Sequence, residues 1–227
     1  ISVAIIPAAP HARARNQEAK SQGRDILIHM PMQPVSAVKI EDGGLHLGMS
    51  SAQVNDRVNT AKNIVNYAIG MNNHMGSAAT ADPQLMTYLM TALQEKHLFF
   101  LDSRTLGKSV AGKIAKEQGV RSLDRHIFLD DSNELADVQH QFQAAIQYAR
   151  KHGTAIAIGH PRPNTIAVLQ AGLNNLPADI QLVGMGNLWR NEKVIPPKPF
   201  VLLFTEMPAP TSMEPFEPVG LLRGIPK

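Results

Sequence analysis

Short apolar runs alternate with longer stretches of helical period along most of this chain, and that alternation limits the folds open to it. The runs that read as strands are residues 2–7, 25–30, 67–72, 98–102, 126–130, 155–160 and 180–183. They are close to continuously apolar, as strands covered on both faces must be. Helix signals lie between them. Ser50 followed by Gln53 forms a capping-box pattern ahead of Val54, Val58, Ala61 and Val65, which share one helical face. Asp82-Pro83 places a capping carboxylate before a first-turn proline, and Leu85, Met86, Leu89, Met90 and Leu93 follow as an apolar stripe. Leu135, Val138, Phe142, Ala145 and Ile146 repeat the pattern up to Gly153, a natural stop; Val110, Ile114 and Gly119 do so on a smaller scale.

Strand and helix alternating over about 190 residues predict a parallel α/β architecture. No strand run is followed by a Gly-x-Gly-x-x-Gly or Walker-type loop, which argues against an open nucleotide-binding sheet. The expectation is therefore a distorted or incomplete (β/α) barrel of about seven parallel strands spanning residues 1–189. Prolines crowd residues 190–227, which read as an extended C-terminal tail.

Composition narrows the chemistry. The chain has 227 residues and no cysteine, so disulfides, thiolate metal sites and cysteine nucleophiles are excluded and histidine and carboxylate are left as metal ligands. Net charge is only +3 and the basic residues are scattered, a poor match to nucleic acid. No run reaches the ~18 apolar residues that a membrane-crossing helix needs. The chain opens at Ile1 inside a strand-like run, so an upstream piece is expected.

The strand runs end in polar residues: His29 after Ile28, Asn72-Asn73-His74, Asp102 after Leu101, Asp130-Asp131 after Leu129, and His160 after Gly159. In a parallel barrel all strand C-termini open on one face, so residues a hundred positions apart converge. Taken singly, His29 or His160 also suits a hydrogen-bonded core histidine, and Asp102 or Asp130 suits a helix cap. Arg104, just past a strand end, suits contact with an anionic group or a surface ion pair equally. No Gly-x-Ser-x-Gly elbow and no His-Glu-x-x-His helix occurs. Glycosidase chemistry through Asp102 and Asp130 stays open, but three histidines at one rim suit a divalent metal better, zinc above all.

The segments Ile28-His29-Met30-Pro31-Met32, Gly70-Met71-Asn72-Asn73-His74-Met75-Gly76-Ser77, Phe100-Leu101-Asp102-Ser103-Arg104-Thr105, Phe128-Leu129-Asp130-Asp131 and Ala157-Ile158-Gly159-His160-Pro161 together resemble the divergent polysaccharide deacetylase family over about residues 1–185. The resemblance implies an incomplete barrel, a periplasmic or secreted location in the bacterial envelope, a divalent metal cofactor and a polysaccharide or peptidoglycan-type substrate. It implies His29 and His74 as metal ligands, His160 as general acid and Asp130 as the carboxylate that orients the site. Asn72, Asn73, Asp102 and Arg104 are the candidates for substrate contact. Family members carry an Asp-Asp strand, source of a base and a metal ligand, ahead of the run matching residues 1–7. A non-catalytic envelope protein that binds glycan or a partner in the same cleft is the alternative, because no second histidine follows His29 by three to five residues.

Overall fold

A computed structural model describes residues 1–105 and 107–192. Five parallel strands form the larger sheet in simple sequential order: β1 (Val3–Ile5), β2 (Ile26–Met32), β3 (Gly70–Met75), β4 (Phe99–Asp102) and β5 (Ser122–Asp124). Two more, β6 (Ile127–Phe128) and β7 (Ala157–Ile158), pair in parallel as a second sheet. Seven helices accompany them among the described residues: α1 (Ala12–Ser21), α2 (Ser51–Ile64), α3 (Pro83–Glu95), α4 (Ala111–Glu117), α5 (Leu135–His152), α6 (Pro163–Leu173) and α7 (Met185–Arg190). The result is the incomplete parallel barrel expected, with its ring not closed by hydrogen bonds.

The central strands β2, β3 and β4 bury residues on both faces, but the two faces meet different partners. On β2, Ile26, Ile28, Met30 and Met32 join the layer beneath the helices, together with Val54, Val58, Met86, Leu89, Met90 and Phe100. The alternate residue Leu27 joins Phe99, Leu101 and Ile156 inside the barrel, with Leu123 and Ile158 packed against them. Inner residues of both sheets thus share one cluster. A third cluster, Leu129, Val138, Phe142, Ile146 and Val168, lies under α5 and α6.

Helix ends follow the local chemistry. Ser50 accepts from the Gln53 N–H while the Gln53 side chain accepts from the Ser50 N–H, a complete capping box. Asp82 accepts from Leu85 N at 2.7 Å, and Gly153 ends α5 at φ 81°.

Two strand expectations are corrected. Residues 180–183 form no strand; they lead into α7, whose Met185, Leu188 and Trp189 pack against the inner cluster. Trp189 stacks on Phe99 with ring centroids 5.6 Å apart, and Asp25 accepts from Gly186 N at 2.9 Å. The apolar pattern there serves a plug, not a ladder. The strand that replaces it is β5, whose central Leu123 pairs in register with Leu101; with one apolar residue in three it carries no sequence signal. The expected tail from residue 190 lies almost wholly outside the described residues.

Candidate metal and acid-base site at the strand ends

On β2 the inner positions are Leu27 and then His29, so the apolar inner face gives way to imidazole toward the C-terminal end of the strand. The β2–β3 register sets His29 opposite Asn72 and Pro31 opposite His74. His29 and His74 therefore occupy the same face of neighbouring strands, two residues out of step. Their rings meet edge to face, with His29 Nε2 3.1 Å from His74 Nδ1. On its far side His74 Nε2 lies 3.4 Å from Oε1 of Glu41, which belongs to the long loop between β2 and α2. That loop is tied to β2 by Leu45 N donating to Pro31 O and Gln33 N donating to Leu45 O.

Burial, and then the neighbouring His74, push the His29 imidazole down to about 4 from its ordinary 6.5, so at neutral pH it is an uncharged ligand-type nitrogen base. The His160 charge acts on His29 in the same direction. His29 Nδ1 and Asn72 Oδ1 are both buried without a hydrogen-bond partner.

The second pair comes from β6 and β7. Leu129 turns outward into the cluster under α5 and α6, which turns Asp130 inward, fully buried. Asp130 Oδ1 is 3.1 Å from His160 Nδ1, and Oδ2 accepts from His160 N at 2.7 Å and from the Thr165 hydroxyl at 2.9 Å. Burial opposes ionisation of Asp130, but the His160 N–H, the Thr165 hydroxyl and the imidazole outweigh it and hold the carboxyl below its usual range. Arg162 donates to the Asp130 carbonyl at 2.7 Å. Gly159 permits this fit: a Cβ there would lie 3.1 Å from Thr165 and 3.2 Å from Leu129. Asp130 caps no helix, since Glu134 takes the N-cap position of α5. Phe128 meets the His160 ring edge-on at 5.5 Å.

The other candidates are held by the protein itself. Asn73 receives Ser103 N at 2.8 Å and donates to Met75 O at 2.7 Å, fastening the end of β4 to β3. Asp102 Oδ1 accepts from Arg104 N at 2.7 Å, while its Oδ2 is buried without a partner. Arg104, at φ 52°, pairs with Asp124 at 3.3 Å in a half-exposed ion pair. Glu41, Ser103, Thr165 and Arg162 complete the site and carried no sequence signal: they lie in a loop without period or in the first turn of a helix.

A metal fits the histidine pair as two of its ligands. Nitrogens of two imidazoles on one tetrahedral zinc stand about 3.3 Å apart, close to the 3.1 Å found between His29 and His74. Among the described residues no group of three or more His, Asp or Glu is gathered to hold an ion. No helix among them is long and apolar enough to cross a membrane.

Known proteins share this sequence and this fold. The chain is 93% identical over its full length to an uncharacterized protein of Haemophilus influenzae, covering 81% of that protein. It is 44% identical over 201 residues to the uncharacterized protein YibQ of Escherichia coli, 87% of this chain and 63% of that one. The crystal structure of an uncharacterized Agrobacterium tumefaciens protein shares the fold with a TM-score of 0.72 at 18% identity, over 82% of this chain and 87% of that one. The family model described as divergent polysaccharide deacetylase matches residues 1–189. The chain therefore belongs to the divergent polysaccharide deacetylase family.

Proposed function

We propose that the chain is the barrel of a metal-dependent amide hydrolase of the carbohydrate deacetylase type, removing N-acetyl groups from a peptidoglycan-type polysaccharide in the periplasm or outside the cell. The observation that carries this reading is the pair of inner imidazole nitrogens, His29 Nε2 and His74 Nδ1, 3.1 Å apart on the same rim as a buried Asp130–His160 pair.

The two pairs suit different parts of an amide hydrolysis. His29 and His74 would hold a divalent ion, which when bound polarises an acetyl carbonyl and lowers the pKa of water. His29 is neutral at physiological pH and free to donate its lone pair. Asp130 fixes the tautomer of His160 by accepting from Nδ1. The half-exposed His160 ring can then give a proton to the departing amine from Nε2. Catalytic zinc sites commonly have three protein ligands; the third, and the general base, would come from the Asp-Asp strand of the family.

A non-catalytic glycan-binding protein is the second reading, favoured by a ligand set of two among the described residues. Zinc titration and acetate release from an N-acetylated glycan, measured on a chain carrying the Asp-Asp strand, separate the two. The first reading expects stoichiometric zinc, lost in His29→Ala, and acetate release lost in His160→Ala. Glycan binding by the zinc-loaded chain without acetate release would overturn it in favour of the second.

A further inference from the structure

We infer that Arg125 is a positioning residue that locks the His29–His74 half of the rim to the Asp130–His160 half, and so sets the reach between the imidazole pair and the general acid. The effect on turnover rests on the hydrolase reading given above and deepens it; the lock itself is read from the geometry.

The need for a lock follows from the backbone. Residues 122–128 are one segment that changes partner midway. Ser122–Asp124 pair with β4, and Arg125 N still donates to Asp102 O at 2.9 Å. At the next residue the bonding turns to the other side: His126 N donates to Ile156 O at 2.8 Å, and Ile127–Phe128 pair with β7. Each half is thus held by its own ladder, and neither ladder fixes the angle between them. Apolar residues of both sheets meet in the inner cluster, but apolar contact is non-directional. A directional tie at this seam has to come from a side chain.

Arg125 supplies it. Toward β4 its Nε donates to Ser103 O at 2.6 Å and its Nη2 to Arg104 O at 3.0 Å. Those two carbonyls belong to the turn that clasps the end of β3: Ser103 N donates to Asn73 Oδ1 at 2.8 Å, Ser103 Oγ to Asn73 O at 2.8 Å, and Thr105 Oγ1 to Met75 O at 3.1 Å. His74 lies between Asn73 and Met75 in the chain. In the other direction the guanidinium carbon stands over the Phe128 ring, 5.0 Å from its centre, and the same ring meets His160 edge-on at 5.5 Å. One planar group therefore grips the turn beside His74 with its edge and rests its face on the ring that backs the general acid. Arginine suits both tasks at once, because a rigid guanidinium offers N–H donors in its plane and a flat cation to an aromatic face. Lysine keeps the charge but has neither the fork nor the face. A misplacement of about 1 Å between reacting groups costs up to about 100-fold in rate, so the angle at this seam matters to the chemistry.

The test uses the zinc-loaded chain with its Asp-Asp strand, an N-acetylated glycan oligomer, and two variants: Arg125→Lys, which loses the fork, and Phe128→Leu, which keeps the fork and loses the ring it rests on. Residual dipolar couplings of backbone amides report the angle between the β2–β3 and α5–α6 regions. That angle should change in Arg125→Lys and, by less, in Phe128→Leu. In acetate release, kcat should fall about 10- to 100-fold in Arg125→Lys with KM and zinc stoichiometry unchanged, a split that general loss of structure would not give. The double variant should be no slower than Arg125→Lys, because the two side chains act as one unit. An unchanged angle in Arg125→Lys, or an unchanged kcat in an active parent, overturns the inference and leaves the hydrolase reading standing. Should Arg125→Lys not fold, an unchanged angle in Phe128→Leu overturns it equally. No acetate release by the unaltered chain overturns the hydrolase reading, and the couplings then decide the lock by themselves.

Discussion

His29 and His74 sit on strands of seven and six residues whose six-residue register leaves neither imidazole a choice of neighbour. Asp130 and His160 follow strands of two residues each, and their meeting depends on side chains: one buried carboxylate gathers His160 N, His160 Nδ1 and the Thr165 hydroxyl. In the first half the main chain places the chemistry, and polar side chains only trim it. In the second a single hydrogen-bonded carboxylate extends a ladder only two residues long. Damage to Asp130 should therefore stay local, whereas damage under the five-stranded sheet should reach everything.

The strongest break of that contrast is Phe100→Ala. Phe100 is fully buried between the larger sheet and its helices, and its loss should cost about 3–5 kcal/mol. Urea denaturation should register that cost, and hydrogen exchange should show protection falling in both halves.

Acid comes next, acting on the five-stranded half. Unfolded, the His29 ring takes up a proton near its ordinary 6.5; folded, it does so only near 4. The unfolded state binds more protons between those values, so stability of the metal-free chain should fall by about 3 kcal/mol as pH drops from 6.5 to 4. His29→Gln should flatten that part of the profile. Asp130 pushes in the same direction at lower pH, because its depressed folded pKa gives stability that is present above the unfolded carboxylate value and lost as pH falls through the folded one.

Asp130→Ala leaves three donors without their acceptor and should cost about 2–3 kcal/mol. Exchange protection should drop around β6, β7 and α6 and hold in β2 and β3; equal loss in both halves would refute the division of labour drawn above. Thr165→Val removes one of those donors, and about 1 kcal/mol is expected with zinc affinity unchanged.

Much of this was legible before any coordinates. Polar residues stood where apolar runs ended, and in a parallel barrel that position is one rim, so His29, His74, Asp130 and His160 could be named from the chain alone. The capping serine and aspartate, Ser50 and Asp82, were legible because a cap is a contact three residues long. Asn73 and Asp102 read from the chain as candidates for substrate contact; that Asn73 instead holds Ser103 N emerges only when β3 and β4 lie side by side.

What the sequence by itself determined was periodicity: which stretches bury two faces, which bury one stripe, and at which strand ends imidazole and carboxylate replace aliphatic carbon. What only the tertiary structure decided was partnership. Leu123 became a strand centre because β4 offered it an edge, residues 180–183 lead instead into a helix that packs on the inner cluster, and Glu41 met His74 because a long loop folds back against β2. Periodicity is a property of neighbours along the chain, so it survives in the sequence. Pairing is a property of neighbours in space and is written in no single segment.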